Sequence, residues 1–308
     1  MTLRLLGHIE LPAHQSDGGF DHADVHPPTD RLYVAHTSND AIDVIDCADD
    51  RYIESIPGFT AVAGALVSEA RGLVFTSNRG ENTVSVFAPG AERDAFKIAV
   101  GVKPNGLAFD PARGILIAAN VGAPSIPDSY SVSVVDIARR QGIAEIAVPG
   151  RTRWAIYDAA RQTFFVNIMS PARIIAIDAR DPTRISHEHK ILAAGPHGLE
   201  LDPATARLYC ACDAGVLLAI DAASGRVLGD VPLSGVPDVI FLHPRLRRLY
   251  VAISDPGVID VIDIGAMRRE EVVATEAGAH TLALDRKRSK IYAFLPRSHR
   301  AAVFVDSA

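Results

Sequence analysis

One phrase recurs seven times along this 308-residue chain: an apolar strand ending in Tyr or a substitute, a polar loop, and a strand that closes on Asp or a substitute. The Tyr-type position returns at spacings of 41 to 48 residues. A period in the low forties is typical of four-stranded units arranged radially. The repeat therefore predicts an all-β, seven-bladed β-propeller of four-stranded blades. The two marker series are Tyr33, Val74, Leu116, Phe164, Tyr209, Tyr250 and Tyr292, and Asp46, Ala88, Asp136, Asp178, Asp221, Asp263 and Asp306.

The two ends of the chain indicate how such a ring would close. The last unit ends at Asp306, directly after its third strand, whereas residues 3–11 have the pattern of an isolated outer strand. Pairing these segments would leave no free sheet edge at the seam. Since no linker or low-complexity segment interrupts the period, we expect residues 1–308 to form a single propeller domain with residues 3–11 as the outer strand of the last blade.

Composition argues against several classes of function. A net charge of -6 disfavours a nucleic-acid surface, and the basic runs at 245–248 and 286–288 are interpreted as solvated turns. We find neither a signal-peptide pattern nor an apolar segment long enough to cross a membrane. An odd count of three cysteines favours reduced thiols. We therefore expect a cytoplasmic protein with no nucleic-acid and no membrane partner.

A propeller concentrates function at the mouth of its central channel, where the loops entering the innermost strands meet. Aligning the inner strands backward from their Asp-Pro-like ends assigns one residue of each blade to this mouth. Blades 5, 6, 7 and 1, which are adjacent in the ring, supply imidazoles and carboxylates there. In chain order the positions hold Asp21, Ala63, Asn105, Arg153, His197, Asp238 and His280, and the next positions hold His22, Gly64, Gly106, Trp154, Gly198, Val239 and Thr281.

Three imidazoles with a nearby carboxylate form a ligand set that suits Zn, Fe, Mn or Co and keeps one position open. We therefore predict a divalent transition metal held by His22, His197, His280 and Asp21, with Asp238 as a further ligand or a catalytic base. Whether His22 or Asp21 is the ligand from blade 1 stays open. The alternative is a polar channel wall, in which the same histidines bridge waters between blades.

Substrate contacts are predicted on the other side of the mouth. Arg153 is a fixed cation that can clamp a carboxylate or phosphate, and Asn105 can add a hydrogen bond. Blade 3 alone has a loop about six residues longer than its counterparts, ending at Tyr130. Single-blade extensions are typical of binding loops. We predict that Tyr130 and Trp154 form an aromatic wall over a small ligand, with Tyr130 as a candidate acid or base.

The repeat also resembles a known family. Residues 32–46 (LYVAHTSNDAIDVID), residues 73–87 (LVFTSNRGENTVSVF) and the connecting phrase 100–107 (VGVKPNGL) are similar to the YVTN-repeat propellers, relatives of the quinoprotein amine dehydrogenase-like superfamily. The resemblance covers essentially the whole chain. It implies the propeller fold, while the superfamily itself contains lyases, lactonases, redox enzymes and binding scaffolds.

A second resemblance concerns the mouth. The phrases Pro-His-Gly at 196–198 and Ala-His-Thr at 279–281 look like those that supply zinc ligands in the peptidylglycine amidating lyase family. This resemblance implies a metal held by three inner-strand histidines beside an arginine. The matching positions are His197, His280, His22 and Arg153. His22 lies one residue out of register, and Asp238 has no counterpart in that pattern.

Two hypotheses follow. The first is a metal-dependent lyase or hydrolase acting on a small anionic metabolite, with Arg153, Asp238 and Tyr130 in catalysis and Asn105, Arg153, Trp154 and Tyr130 contacting the substrate. A lactonase-type hydrolase is a variant of the first. The second is a non-catalytic propeller that binds a peptide, a protein or a metabolite on the same face.

Overall fold

The strands of the chain form seven four-stranded antiparallel sheets, seen in a computed structural model that describes residues 3–307. Blades 1 and 2 contain β2 (Ala23–His26), β3 (Arg31–His36), β4 (Ala41–Asp46), β5 (Arg51–Pro57), β6 (Val62–Ser68), β7 (Leu73–Asn78), β8 (Thr83–Phe87) and β9 (Phe96–Ala99). Blades 3 and 4 contain β10 (Pro104–Asp110), β11 (Ile115–Asn120), β12 (Ser131–Asp136), β13 (Gln141–Ala147), β14 (Thr152–Asp158), β15 (Thr163–Ile168), β16 (Arg173–Asp178) and β17 (His187–Lys190). Blades 5 and 6 contain β18 (Pro196–Asp202), β19 (Arg207–Cys212), β20 (Val216–Asp221), β21 (Val227–Pro232), β22 (Pro237–His243), β23 (Arg248–Ile253), β24 (Val258–Asp263) and β25 (Arg268–Ala274). Blade 7 contains β26 (Thr281–Asp285), β27 (Lys290–Leu295), β28 (Arg300–Asp306) and β1 (Leu3–Glu10).

Strand order confirms the predicted propeller. In blades 1 to 6 the four strands follow the chain from the innermost to the outermost position, and the innermost strands of neighbouring blades contact each other all around the ring. Short 3-10 turns lie at Pro27–Thr29, Thr37–Asn39, Glu69–Arg71 and Glu92–Asp94. The seven-bladed fold and its four-stranded blades are as the repeat predicts.

The N-terminal strand closes the ring, also as predicted. β1 pairs antiparallel with β28, with Leu3 opposite Asp306 and Glu10 opposite Arg300. The side chains of Leu3 and Ile9 are buried in two different apolar clusters. The first and last parts of the chain therefore share one sheet, which removes an open edge at the seam.

Apolar side chains fill the spaces between the blades. Among the described residues they form seven clusters, one for each pair of adjacent blades. Each middle strand is buried on both faces, which explains why its sequence is nearly continuous in Val, Ile, Leu and Tyr. The core of this protein is thus a ring of interfaces, and its stability depends on every blade having both neighbours.

Three of the Tyr markers also form hydrogen bonds to the next blade through their hydroxyl groups. Tyr33 of blade 1 donates to Glu92 of blade 2 at 2.9 Å, and Tyr292 of blade 7 donates to Asp50 of blade 1 at 2.8 Å. Tyr250 of blade 6 donates in the same way to Asp306 of blade 7. A buried hydroxyl that is left without a partner costs free energy, so each carboxylate stabilises the position of its tyrosine.

Two further features of the fold are its lack of a membrane-spanning helix within residues 3–307 and the state of its cysteines. No helix within residues 3–307 is long and apolar enough to span a membrane. All three cysteines are buried and free of disulfides, and the Sγ atoms of Cys210 and Cys212 lie 3.8 Å apart. Both are small side chains of the apolar cluster between blades 4 and 5.

Candidate functional site

The residues assigned to the channel mouth lie together at one end of the innermost strands. The backbone N–H of His22 donates to the carbonyl of Ala63 in the next blade at 2.9 Å, and that of Val239 donates to the carbonyl of His280 at 3.4 Å. These bonds join inner strands of neighbouring blades at the level of the predicted positions. The alignment of the repeats therefore located the mouth.

Glycine at three positions allows this close approach. A Cβ atom on Gly64 would lie 2.5 Å from the carbonyl oxygen of Asn105, and one on Gly198 would lie 2.6 Å from that of Asp238. A Cβ on Gly106 would meet the carbonyl oxygen of Arg153 in the same way. Each glycine thus lets the mouth residue of the next blade come close to the axis.

His197 is held between two carboxylates. Its Nδ1 lies 2.7 Å from Asp213 Oδ1 and its Nε2 lies 3.2 Å from Asp238 Oδ1. Burial alone would lower the pKa of His197, but the charges and hydrogen bonds of Asp238 and Asp213 outweigh it and raise the pKa to about 9. At pH 7 the side chain is therefore an imidazolium whose two N–H groups both donate.

Asp238 is the centre of the histidine cluster. Burial tends to raise the pKa of Asp238, but His197 first, and then His280 and His22, hold it below its usual range. The charges of all three imidazoles act on the Asp238 carboxylate, and His197 is in direct contact with it. The role of Asp238 in this arrangement is to carry the negative charge that the cluster surrounds.

The pKa values of the other two histidines shift in opposite directions. Burial lowers the pKa of His22 despite the neighbouring Asp21, whose Oδ1 lies 3.3 Å from His22 Nε2. Burial also acts on His280, but Asp238 and Asp21 outweigh it and raise the pKa above the usual value. His280 Nδ1 lies 2.8 Å from the carbonyl oxygen of Gly278, which fixes the ring and makes Nδ1 the donor.

The side chains as arranged do not fit a three-histidine metal site. Within residues 3–307 no group of three or more His, Cys, Asp or Glu side chains is placed to hold a metal ion. Both ring nitrogens of His197 are occupied by carboxylates, and a metal ligand must offer an unprotonated nitrogen. The predicted set of His22, His197, His280 and Asp21 is, in this arrangement, a network of imidazoles and carboxylates.

The network continues around the mouth through arginines. Arg79 lies 3.1 Å from Asp21 Oδ2 and donates to Asn105 Oδ1 at 2.5 Å. Arg153 lies 3.7 Å from Asp213 Oδ2 and contacts Met169 Sδ at 3.5 Å. Arg153 thus shares Asp213 with His197. Asn105 accepts a hydrogen bond from Arg79.

A pocket of about 430 Å³ lies beside this network, between blades 2, 3 and 4. Its charged lining is positive: Arg79, Lys103 and Arg151, with Tyr130 beside them and no carboxylate among the described residues that line it. Neither Lys103 nor Arg151 forms an ion pair with a carboxylate within residues 3–307. We call this the arginine pocket.

The electrostatics of the arginine pocket are unfavourable for its own cations. Desolvation lowers the pKa of Arg151 first, and the positive charges of Arg153 and Arg79 lower it further. The Nε atoms of Arg79 and Arg153 are buried donors without a hydrogen-bond partner in the described chain. An anion in the pocket would relieve the repulsion on Arg151 and could accept a hydrogen bond from Arg79, which lines the pocket, whereas Arg153 does not line it.

The long loop of blade 3 forms one wall of this pocket. The hydroxyl of Ser129 donates to the Ala123 carbonyl and accepts from the Ala123 N–H, both at 2.9 Å, which closes the loop on itself. Gly122 adopts a φ of +69°, and a Cβ there would meet the ring of Tyr130 at 2.7 Å. The insertion is therefore a folded element that presents Tyr130 to the pocket.

Tyr130 and Trp154 do not form one aromatic wall. Trp154 points down the channel, where its ring centroid lies 4.2 Å from that of His22, and it lines a different cavity. Because His22 and Trp154 come from blades 1 and 4, this pair crosses the channel beneath the mouth. Tyr130 lines the arginine pocket and Trp154 lines the other cavity, and the contacts predicted for the two rings with a substrate stay a prediction.

The sequence alignment missed Arg79, Asp213, Lys103 and Arg151. The first two directly follow the second strand of their blades, and the last two lie two residues before the mouth position of theirs. Both positions could have been compared across the seven repeats, since the second strand ends on the same face as the inner strand begins. At the position after the second strand the blades hold Thr37, Arg79, Val121, Met169, Asp213, Ser254 and Pro296.

Comparisons with known proteins support the fold and assign no family. No protein-family model matches the chain, and no curated protein matches it. Among solved structures it is similar to Kuenenia stuttgartiensis hydrazine synthase, at 15% identity over 96% of this chain and 97% of that chain, with a TM-score of 0.82. It is also similar to the WD40 β-propeller domain of Doa1, at 10% identity over 99% of this chain and 97% of that chain, with a TM-score of 0.79.

These similarities show a seven-bladed propeller and nothing finer. Identities of 15% and 10% carry the fold alone, because one fold serves many unrelated functions. The resemblances to the YVTN-repeat propellers and to the amidating lyase family stay predictions.

Proposed function

We propose that this propeller binds a small anionic metabolite, carrying a carboxylate or phosphate group, in the arginine pocket beside the channel mouth. The observation that carries the proposal is the set of three cations, Arg79, Lys103 and Arg151, around a pocket of about 430 Å³ whose described lining has no carboxylate. A cavity of that size suits a metabolite and is too small for a folded partner.

Recognition would use the donors already in place. Arginine presents parallel N–H groups that match the two oxygens of a carboxylate or phosphate, and Arg151 has no carboxylate partner of its own among the described residues. Lys103 would add a point charge, and the hydroxyl of Tyr130 a neutral hydrogen bond. Arg79 is already tied to Asp21 and Asn105, so it would link an anion to the histidine network.

The test is calorimetric titration with inorganic phosphate, succinate and citrate. We expect at least one of them to bind, and the Lys103→Gln/Arg151→Gln double variant to bind it at least about tenfold more weakly, since two charge-assisted contacts are lost. The matched control is Arg93→Gln/Arg139→Gln, which removes two exposed positive charges elsewhere. Equal weakening in both double variants, or no binding of any of the three anions, would reject the arginine pocket.

A metal-dependent lyase or hydrolase is the finer proposal for the same face. The presence of His22, His197 and His280 around Asp238 favours it, and it requires His197 to release Asp238 so that Nε2 can face a metal. Its test is the metal content of the purified protein by plasma mass spectrometry, beside a His22→Ala/His280→Ala variant. About one transition metal per chain, lost in the variant, would support it, and a metal-free protein that stays so after incubation with zinc, iron or manganese leaves a binding propeller.

A further inference from the structure

A second cavity lies on the channel axis, beneath the His22–Trp154 pair, and we call it the axial cavity. Its volume is about 560 Å³, and its walls reach to the turns at the far ends of the inner strands. Residues of all seven blades line it, so it is built by closure of the ring. The arginine pocket and the axial cavity share no lining residue.

Two kinds of wall face each other in the axial cavity. Blades 2, 3 and 4 contribute apolar and aromatic side chains, including Leu66, Phe109 and Ile156. Blades 5, 7 and 1 contribute Glu200, Arg286 and Asp24. A ligand that satisfies both walls needs an apolar body and a charged or polar end.

The carboxyl groups around the cavity favour a cation. The lining contains four carboxyl groups, those of Asp24, Glu69, Asp158 and Glu200, and one cation, Arg286. The sequence analysis interpreted Arg286 as part of a solvated turn, and its side chain is indeed 45% exposed. Its guanidinium lies at the rim of the cavity and donates to the carbonyl of Leu242. It reaches Glu200 only at 3.9 Å, whereas the Glu200 side chain is 15% exposed and faces the cavity.

Glu200 faces the cavity, and within residues 3–307 its nearest side-chain partner is the distant Arg286, while the backbone N–H groups of Leu242 and Leu201 also act on it. Asp24 already accepts the N–H groups of Val25 and Val67, both at 2.8 Å, and Asp158 is paired with Arg161 at 3.0 Å. Glu69 is exposed at the rim. Phe241 of blade 6, which lies between the blades of Glu200 and Arg286, also lines the cavity, and the negative face of an aromatic ring attracts a cation.

We propose that the axial cavity binds a small organic amine, with its ammonium group on Glu200 and its apolar body against the wall of blades 2, 3 and 4. The polar end points to blades 5 and 7, and the His22–Trp154 pair closes the inner end of the cavity. This site is independent of the anion site at the mouth, because it lies at the other end of the channel and uses other residues.

Proton release would accompany binding. Burial raises the pKa of Glu200 to about 7, against the opposing effect of Arg286 and two backbone N–H groups, so part of the population is protonated at neutral pH. An ammonium ion stabilises the carboxylate form, and affinity therefore rises from about pH 6 to about pH 8. Of the other groups that face the cavity, Tyr157 has its pKa raised to about 12 and stays neutral, and burial keeps His22 neutral from pH 7 upward. Burial also raises the pKa of Asp24, and the charge of Asp24 contributes to the raised pKa of Glu200.

The single tryptophan of the chain makes the test specific for this site. Trp154 lines the axial cavity, so a ligand bound there changes the intrinsic fluorescence of the protein. Three probes of one shape would be titrated: phenethylamine as the cation, phenylacetate as the anion and phenethyl alcohol as the neutral form. We expect phenethylamine to change the emission and to bind at least about tenfold more tightly than the alcohol, with affinity rising from pH 6 to 8.

Two variants distinguish the effect of the Glu200 charge on binding from the effect of the cavity's shape. Glu200→Gln should weaken phenethylamine at least about tenfold, abolish the pH dependence and leave the alcohol unchanged, since the amide keeps the shape and loses the charge. Glu10→Gln, an exposed carboxylate on β1, is the matched control and should change nothing. Tighter binding of phenylacetate than of phenethylamine, or no change of emission with any probe up to about 10 mM, would overturn the proposal.

Discussion

His197 supplies a positive charge at the channel mouth through its imidazolium group. It lies between Asp213 and Asp238, and its folded-state pKa of about 9 exceeds the unfolded value of 6.5. The stabilisation from this shift is complete below about pH 6.5 and is lost as pH rises through about 9. Its size is on the order of 3 kcal/mol, taking about 1.4 kcal/mol for each pH unit.

We therefore predict that the free energy of unfolding falls between about pH 7 and pH 10, and that His197→Gln removes this part of the fall. Glutamine keeps a hydrogen-bond donor and does not titrate, while Asp213 and Asp238 lose the cation between them, so the variant should also be less stable at pH 7. Urea unfolding of both proteins at several pH values measures the difference. The same slope in both would mean that His197 is not a cation in the folded state.

The sequence could predict part of this site. Repeat alignment located Asp21, His197, Asp238 and His280 because one backbone position per blade reaches the mouth. It did not predict that Asp213 would occupy the second nitrogen of His197, because that contact depends on a side chain that follows another strand. Ligand type alone therefore suggested a metal, whereas in this structure both ring nitrogens of His197 face carboxylates.

At the scale of the strands, the inner strands approach each other most closely at glycine. In Gly106→Ala a new Cβ would collide with the carbonyl oxygen of Arg153 in the next blade. Because backbone rather than a flexible side chain is in the way, we expect a loss of stability on the order of 2 kcal/mol. Gly142→Ala on the outer strand β13 is the control, since its Cβ would come no nearer than 4.0 Å to Ala99.

Thermal and urea unfolding of the two alanine variants measure this contrast. The Gly106 variant should also weaken anion binding, because Arg153 and Arg151 shift with the displaced strand. Equal stability of both variants would show that the inner strands have room to move apart. In that case the inner strands at the mouth can shift apart to accept a Cβ atom, despite their close contacts in this structure.

The strands themselves could be predicted more completely than their connections. The period of Tyr and Asp markers fixed the number of blades and the order of strands, because each unit must bury both faces of its sheet against neighbours. The acids that receive the hydroxyls of Tyr33 and Tyr292, Glu92 and Asp50, lie outside the repeat pattern. Contacts between blades that use non-equivalent residues leave no periodic signal, so they could be found only in the structure.

For the whole molecule, stability depends on closing the ring. Deleting residues 3–10 would expose the edge of β28 and remove Leu3 and Ile9 from two clusters between blades. We expect the shortened chain to lose cooperative unfolding and to aggregate, because an open edge recruits other strands. A cooperative transition at the original midpoint would show that the ring holds without its closing strand.

Point variants on β1 test closure without exposing an edge. Leu3 and Ile9 are 2% and 4% exposed, whereas Leu5 and Leu6 on the same strand are 46% and 42% exposed. Leu3→Ala/Ile9→Ala should cost several kcal/mol, since each buried truncation costs about 2–5 kcal/mol, while Leu5→Ala/Leu6→Ala should stay within about 1 kcal/mol of the original protein. Urea unfolding gives both values. If closure at this seam unites the seven blades into one cooperative unit, the first pair also lowers the midpoint for every probe at once, including the emission of Trp154, which blade 4 carries and which also packs against the cluster that contains Leu3. A loss confined to blade 7, with Trp154 unchanged, would mean that the blades unfold separately.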